Sequence, residues 1–127
     1  MTPTLPDILA GQAAALMQPS PPEAGSEYQA GRMGIVVMLA SLAAQEAQRG
    51  PAARIWENEA IAVLLGAQPQ SEPDFSWRGL DARNAELRRA LIARHEAAEA
   101  AGDRVLQAKI LELYLAMAKA RRLELGG

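Results

Sequence analysis

Apolar residues recur along this chain at the three- and four-residue spacing of helices, with no alternating strand pattern. Leu5, Ile8, Leu9, Ala13, Leu16 and Met17 predict a short first helix over 6–17. Thr4 is its candidate cap, Pro6 suits the first turn, and Asp7 complements the positive end of the helix dipole. Gln18-Pro-Ser-Pro-Pro22 stops it, because proline removes a helical donor and pushes its preceding residue out of the helical region.

A second helix is predicted from Glu23 to about Arg49, with Tyr28, Ile35, Met38, Leu39 and Leu42 on one face and Val36 and Val37 on others. A helix apolar nearly all round expects neighbours on several sides. Gly31 and Gly34 each cost it about 1 kcal/mol relative to alanine, which suggests a close helix crossing, a kink, or a gap for a ligand. Gly50-Pro51 predicts the end of this helix and the start of a third, which runs to about Gly66 with Ile55, Trp56, Ala60, Val63 and Leu64 inward. A loop follows over Gln68 to Ser76. The rest reads as a helical hairpin. One helix covers about Leu80 to Ala101, with Leu87 and Leu91 on its core side. Gly102 ends it, Asp103 caps the next, and Leu106, Ile110, Leu113 and Met117 face the core.

The expectation is therefore an all-α bundle of four main helices plus a short N-terminal one, in a single domain over 1–127. Within it, 1–22 is the N-terminal helix and proline-rich linker, 23–67 two helices, 68–79 a loop and 80–125 the hairpin. Composition agrees: 50% of residues are hydrophobic but only 4% aromatic, so the core is built from small and aliphatic side chains. The net charge of −2 attracts neither nucleic acid nor anionic membrane strongly. Residues 1–79 carry four basic and eight acidic side chains, and residues 80–127 nine and seven, too mild an asymmetry for a nucleic-acid face. With no cysteine, thiolate sites and disulfides are excluded. The N-terminus lacks the pattern of a secretory signal, and the most apolar run, Met33 to Ala44, is shorter than the roughly 20 residues of a membrane span. A cytoplasmic protein with no membrane role is expected.

Candidate chemistry is sparse. His95-Glu96-Ala-Ala-Glu99 lacks the second histidine of a helical zinc motif, and one histidine cannot complete a di-iron site. No metal or cofactor is expected, and His95 reads as a half-buried structural side chain. Trp56-Glu57-Asn58-Glu59 is the most unusual polar cluster, since asparagine is a poor mid-helix residue. Its ordinary reading is a solvated helix face, with Arg54 pairing Glu57 or Asn58 on the same helix; partner contact and a small-molecule site are the alternatives. Phe75 and Trp77 read as pins for the loop, although Trp77-Arg78 also has interface hot-spot chemistry. Lys119-Ala-Arg-Arg122 reads as cations at a helix C-terminus. A weaker option, nucleic-acid binding, would use residues 83–94 and 119–122.

One arrangement resembles a known group. Tyr28, Arg32 and Ile35-Val-Val-Met38 come first, then the Gly50-Pro51 break and a helix ending Leu64-Leu65-Gly66. Asn84-Ala-Glu-Leu-Arg-Arg-Ala-Leu-Ile92 follows. Over about two-thirds of its length the chain is similar to small uncharacterised bacterial helical proteins associated with acyl-CoA dehydrogenase-like and aminoglycoside-phosphotransferase-like proteins. The resemblance implies no catalytic residue. It implies a partner role in a metabolic pathway.

Together these readings favour a non-enzymatic accessory or interaction protein over an enzyme. It is expected to self-associate as a homodimer and to have room for a different protein partner. Leu111 and Leu115 fall off the main stripe of the last helix, as Val36 and Val37 do on the second, and a second subunit would cover them. The alternative is a small-molecule-binding protein or enzyme with a pocket between the second and third helices, lined by Tyr28, Arg32, Trp56 and Asn58.

Overall fold

The computed structural model describes residues 3–19, 21–23, 25–68 and 70–125. Among these, 78% are helical and none is in a strand, an all-α bundle as expected. Four helices follow one another: α1 (Leu5–Met17), α2 (Ser26–Leu64), α3 (Trp77–Ala101) and α4 (Arg104–Ala120). By contacts the chain forms two compact units, one of residues 1–49 with 122–127 and one of residues 50–121.

The first difference from the sequence reading is at Pro51, which lies inside α2. The expected second and third helices are one. Proline removes the donor to the carbonyl of Ala47, but Gly50 has no Cβ for the proline ring to strike, so the usual penalty on the preceding residue is reduced. Four residues on, Arg54 donates from its guanidinium to the Gly50 carbonyl at 3.1 Å, a local contact that favours the helical path.

The first unit has few buried side chains, among them Ile8, Ala43 and Glu46. Thr4 and Asp7 form the box that starts α1: the Asp7 N–H donates to the Thr4 hydroxyl, and the Thr4 N–H donates back to the Asp7 carboxylate at 3.1 Å. The Thr4 hydroxyl, donating to the Asp7 carboxylate at 2.7 Å, and then the Thr4 N–H hold the Asp7 carboxyl below its ordinary range. No basic residue lies in the last turn of α1. Arg32 serves that end instead, donating to the carbonyls of Ala15 (3.0 Å) and Leu16 (2.6 Å), while Gln12 donates to the Val36 carbonyl at 3.3 Å. A Cβ added at Gly31 or Gly34 would have no neighbour within 4 Å, so neither glycine serves a close helix crossing.

The second unit has a true apolar core. Ile61, Leu91, Ile110 and Met117 are buried together, with Leu64, Leu65, Leu87, Leu106, Leu113 and Tyr114 packed around them. The α3–α4 hairpin turns as expected. Gly102 adopts φ 68°, a left-handed conformation that suits glycine, and Asp103 accepts from the Leu106 N–H at 3.1 Å. The start of α3 comes earlier than predicted: Ser76 accepts from the Gly79 N–H at 3.0 Å and so caps a helix beginning at Trp77. Gly79 is required there, because a Cβ would strike the Asp74 side chain that accepts from the Ser76 N–H.

Candidate functional site

Three polar residues share the deepest stripe of α2 in the second unit with Ile61. Arg54, Glu57 and Asn58 are each at most 1% exposed, on the same face as buried Ile61. At about 100° per residue, Trp56 and Val63 of the predicted stripe lie nearly opposite that face and Ile55 and Ala60 to its sides, whereas Leu64 packs against the core as expected. Trp56 is 41% and Val63 55% exposed. The reading of Glu57 and Asn58 as a solvated face is thus corrected, because partners from three other segments satisfy them.

Glu57 is the hub. One carboxylate oxygen accepts from Asn84 Nδ2 (3.0 Å) and Arg88 Nε (2.6 Å), and the other from Arg121 Nε (2.8 Å). Asn84 also donates to Asn58 Oδ1 (2.9 Å) and accepts from the Arg121 guanidinium (2.9 Å). Asn58 passes the chain to Glu72, donating at 3.1 Å. Burial alone pushes the Glu57 carboxyl up. The hydrogen bonds from Arg121 and Asn84, the Arg121 charge and the Arg88 hydrogen bond outweigh burial, so its pKa lies below the ordinary glutamate range. Glu57 is therefore an ionised, fully engaged acceptor, which suits a buried clasp better than proton transfer.

Arg54 is expected to pair with Glu57 or Asn58 on its own helix. It reaches Asp81 on α3, and Trp77 lies across its guanidinium at 4.6 Å. Trp77 thus pins the start of α3 through Arg54, whereas Phe75 is 67% exposed and pins nothing comparable. Arg78 is exposed. Glu72 and Arg83 approach to 3.6 Å, and the facing Glu72 Oε2 and Arg83 Nε are buried without a hydrogen bond. They border a cavity of about 380 Å³ whose other lining includes Ile55, Glu59, Ala62 and Phe75.

Of the other predicted site residues, Tyr28 and Arg32 belong to the first unit. With Ala15, Gln18, Gly31 and Ile35 they line a groove of about 330 Å³, and Arg32 is engaged with the α1 carbonyls as described. Trp56 and Asn58 belong to the second unit. His95 is half-buried, its ring edge-on to Tyr114 with the phenol oxygen 3.3 Å from Nδ1, and Glu99 lies 3.5 Å from Nε2. Burial and the Glu99 charge push the Tyr114 hydroxyl up. Arg83, Arg88 and Arg121, cations that a nucleic-acid surface would use, pair with Glu72 and Glu57. Among the described residues no three acidic or histidine side chains converge on a metal-sized site, and no helix is long and apolar enough to cross a membrane.

Asn84, Arg88 and Arg121 were absent from the sequence reading as members of a cluster, yet their register carries a signal. Asn84 and Arg88 interleave with Leu80, Leu87 and Leu91 on the inner side of α3, and Arg121 follows Met117 by one turn. The chain matches no protein-family model, no curated protein and no solved structure.

Proposed function

We propose that this protein is a non-enzymatic interaction protein that pairs with a second copy of itself and acts through its helix faces. The observation that carries this reading is the amount of large apolar surface left open on regular helices. On α4, Leu111 and Leu115, one turn apart, are 56% and 57% exposed. On α2, Met33 and Val37 form an equivalent pair, with Ile35 and Met38 also exposed. Scattered exposed apolar residues are ordinary, but paired rows on helix faces are what a partner helix covers. The polar cluster supports the same reading. Its hub carboxylate is engaged with arginine and asparagine, and its chemistry is that of a clasp that holds the second unit together.

A homodimer is the simplest closed form, since one repeated patch covers itself across a two-fold axis. The resemblance noted above adds a proposed role beside metabolic proteins, in which surface left open by the dimer meets a different partner. Light scattering on the purified chain tests the proposal. A mass above 13.6 kDa that falls to that value on dilution is expected. A mass of one chain at every concentration refutes self-association.

A further inference from the structure

The cavity beside Glu72 and Arg83 lies wholly within the second unit and is walled by three segments. Ile55, Glu59 and Ala62, spaced four and three residues apart, line it from one face of α2, Glu72 and Phe75 from the loop before α3, and Arg83 from α3. Its volume of about 380 Å³ falls in the range of small-molecule sites, about 300–1,000 Å³. The Glu72 side chain is 7% exposed, and buried Asn58 fixes it by donating to Oε1 at 3.1 Å. Its other oxygen, Oε2, has no hydrogen bond among the described residues, and neither has Arg83 Nε. The two stand 3.6 Å apart, too far to bond each other well. A buried acceptor and a buried donor are thus presented side by side at the cavity wall, held in place from behind. Buried polar groups are normally satisfied, and an unmet one is costly.

We propose that this cavity binds a small α-amino acid with an apolar side chain. Charge narrows the ligand first. Glu59 adds a second carboxylate to the wall, so two carboxylates stand against one guanidinium and a simple anion is opposed. A simple cation satisfies Glu72 but brings no acceptor for Arg83. An ammonium and a carboxylate on one carbon satisfy both: the ammonium donates to Glu72 Oε2 on the side nearer the carboxylates, and the carboxylate accepts from Arg83 Nε. The remaining wall is apolar. Ile55 and Ala62 form its floor, and Phe75, 67% exposed, offers a ring that an apolar side chain covers. The Asn58 bond sets Glu72 before any ligand arrives, so little ordering is needed on binding. Binding here uses no residue of the Leu111 and Leu115 face and does not depend on self-association.

Titration of the isotope-labelled full chain, followed by amide NMR shifts, tests this with L-leucine and L-phenylalanine. Each is compared with its counterpart lacking the carboxylate (isoamylamine, phenethylamine) and its counterpart lacking the ammonium (isocaproate, hydrocinnamate). At least one of the two amino acids should bind with a Kd of about 1 mM or tighter, shifting the amides of Glu72, Phe75 and Arg83. Its two counterparts should bind at least about tenfold more weakly, since each loses one charged hydrogen bond. Glu72→Gln and Arg83→Gln, with circular dichroism unchanged, should each weaken the amino acid by about the same factor. The proposal is overturned if neither amino acid binds, or if the shifts fall away from these residues. It is equally overturned if a counterpart binds as well as its parent, or if a folded Glu72→Gln or Arg83→Gln chain binds as wild type does. Should a variant fail to fold, the comparison of counterparts on the wild-type chain decides alone.

Discussion

Replacing Glu57 by glutamine changes almost no volume and removes the one charge on which two arginines converge. Glu57 is 0% exposed, and its carboxylate accepts three hydrogen bonds, from Asn84, Arg88 and Arg121. The amide keeps one acceptor oxygen but turns a donor toward a guanidinium, leaving a buried cation without its counter-charge. Breaking a fully buried pair from one side costs about 3–5 kcal/mol. Arg88, whose side chain is 42% exposed, recovers part of this from water, whereas Arg121 at 12% recovers little. A loss of about 2–4 kcal/mol follows, a drop of roughly 8–16 °C in Tm for a chain of this size. Urea denaturation followed by circular dichroism at 222 nm measures it, with Glu59→Gln on the exposed side of α2 as a control expected within about 0.5 kcal/mol of wild type. A double-mutant cycle with Arg121→Gln then isolates the pair, and a coupling of at least about 1 kcal/mol is expected. If Glu57→Gln is no worse than Glu59→Gln, the clasp does not hold the second unit together and the reasoning fails.

Other predictions follow from the same geometry. Because the Glu57 pKa is depressed in the folded protein, its contribution to stability is complete above the ordinary value of 4.5 and is lost as pH falls through the folded value. Denaturation titrations should therefore show the gap between wild type and Glu57→Gln closing below that pH, and a gap that widens there contradicts the assignment. Leu91→Ala and Ile110→Ala, both at 0% exposure, should each cost about 2–5 kcal/mol, and Leu39→Ala in the thinner first unit only about 1–2, as measured by urea unfolding. Gly102→Ala forces a side chain onto a left-handed backbone and should cost about 1–2 kcal/mol, with a Tm equal to wild type counting against the turn.

Much of the fold was legible because its signals are local. Thr4 with Asp7, and Gly102 with Asp103, mark helix ends through short-range hydrogen bonds that composition around them does not disturb. The Leu106, Ile110, Leu113, Met117 spacing marks the inner face of α4 for the same reason. Pro51 was misread because the local rule against proline in a helix yields when the preceding residue is glycine and the surrounding helix is long. Ser76 carries no unambiguous signal, because serine suits a turn as well as a cap. The polar stripe was misread more deeply. Arg54, Glu57 and Asn58 stand at core spacing with Ile61, but charged residues face water by default, and their partners Asp81, Asn84, Arg88 and Arg121 lie 26 to 64 residues away. No local pattern pairs residues across that distance.

The central claim is that open helix faces bind a second copy, and sedimentation equilibrium across a hundredfold concentration range tests it most directly. Wild type is compared with Leu111→Ser/Leu115→Ser, substitutions at side chains more than half exposed that should leave the monomer's stability within about 1 kcal/mol. The wild-type mass should approach twice 13.6 kDa at high concentration, and the variant should dissociate at concentrations where wild type does not. A wild-type chain that sediments at 13.6 kDa throughout contradicts the account.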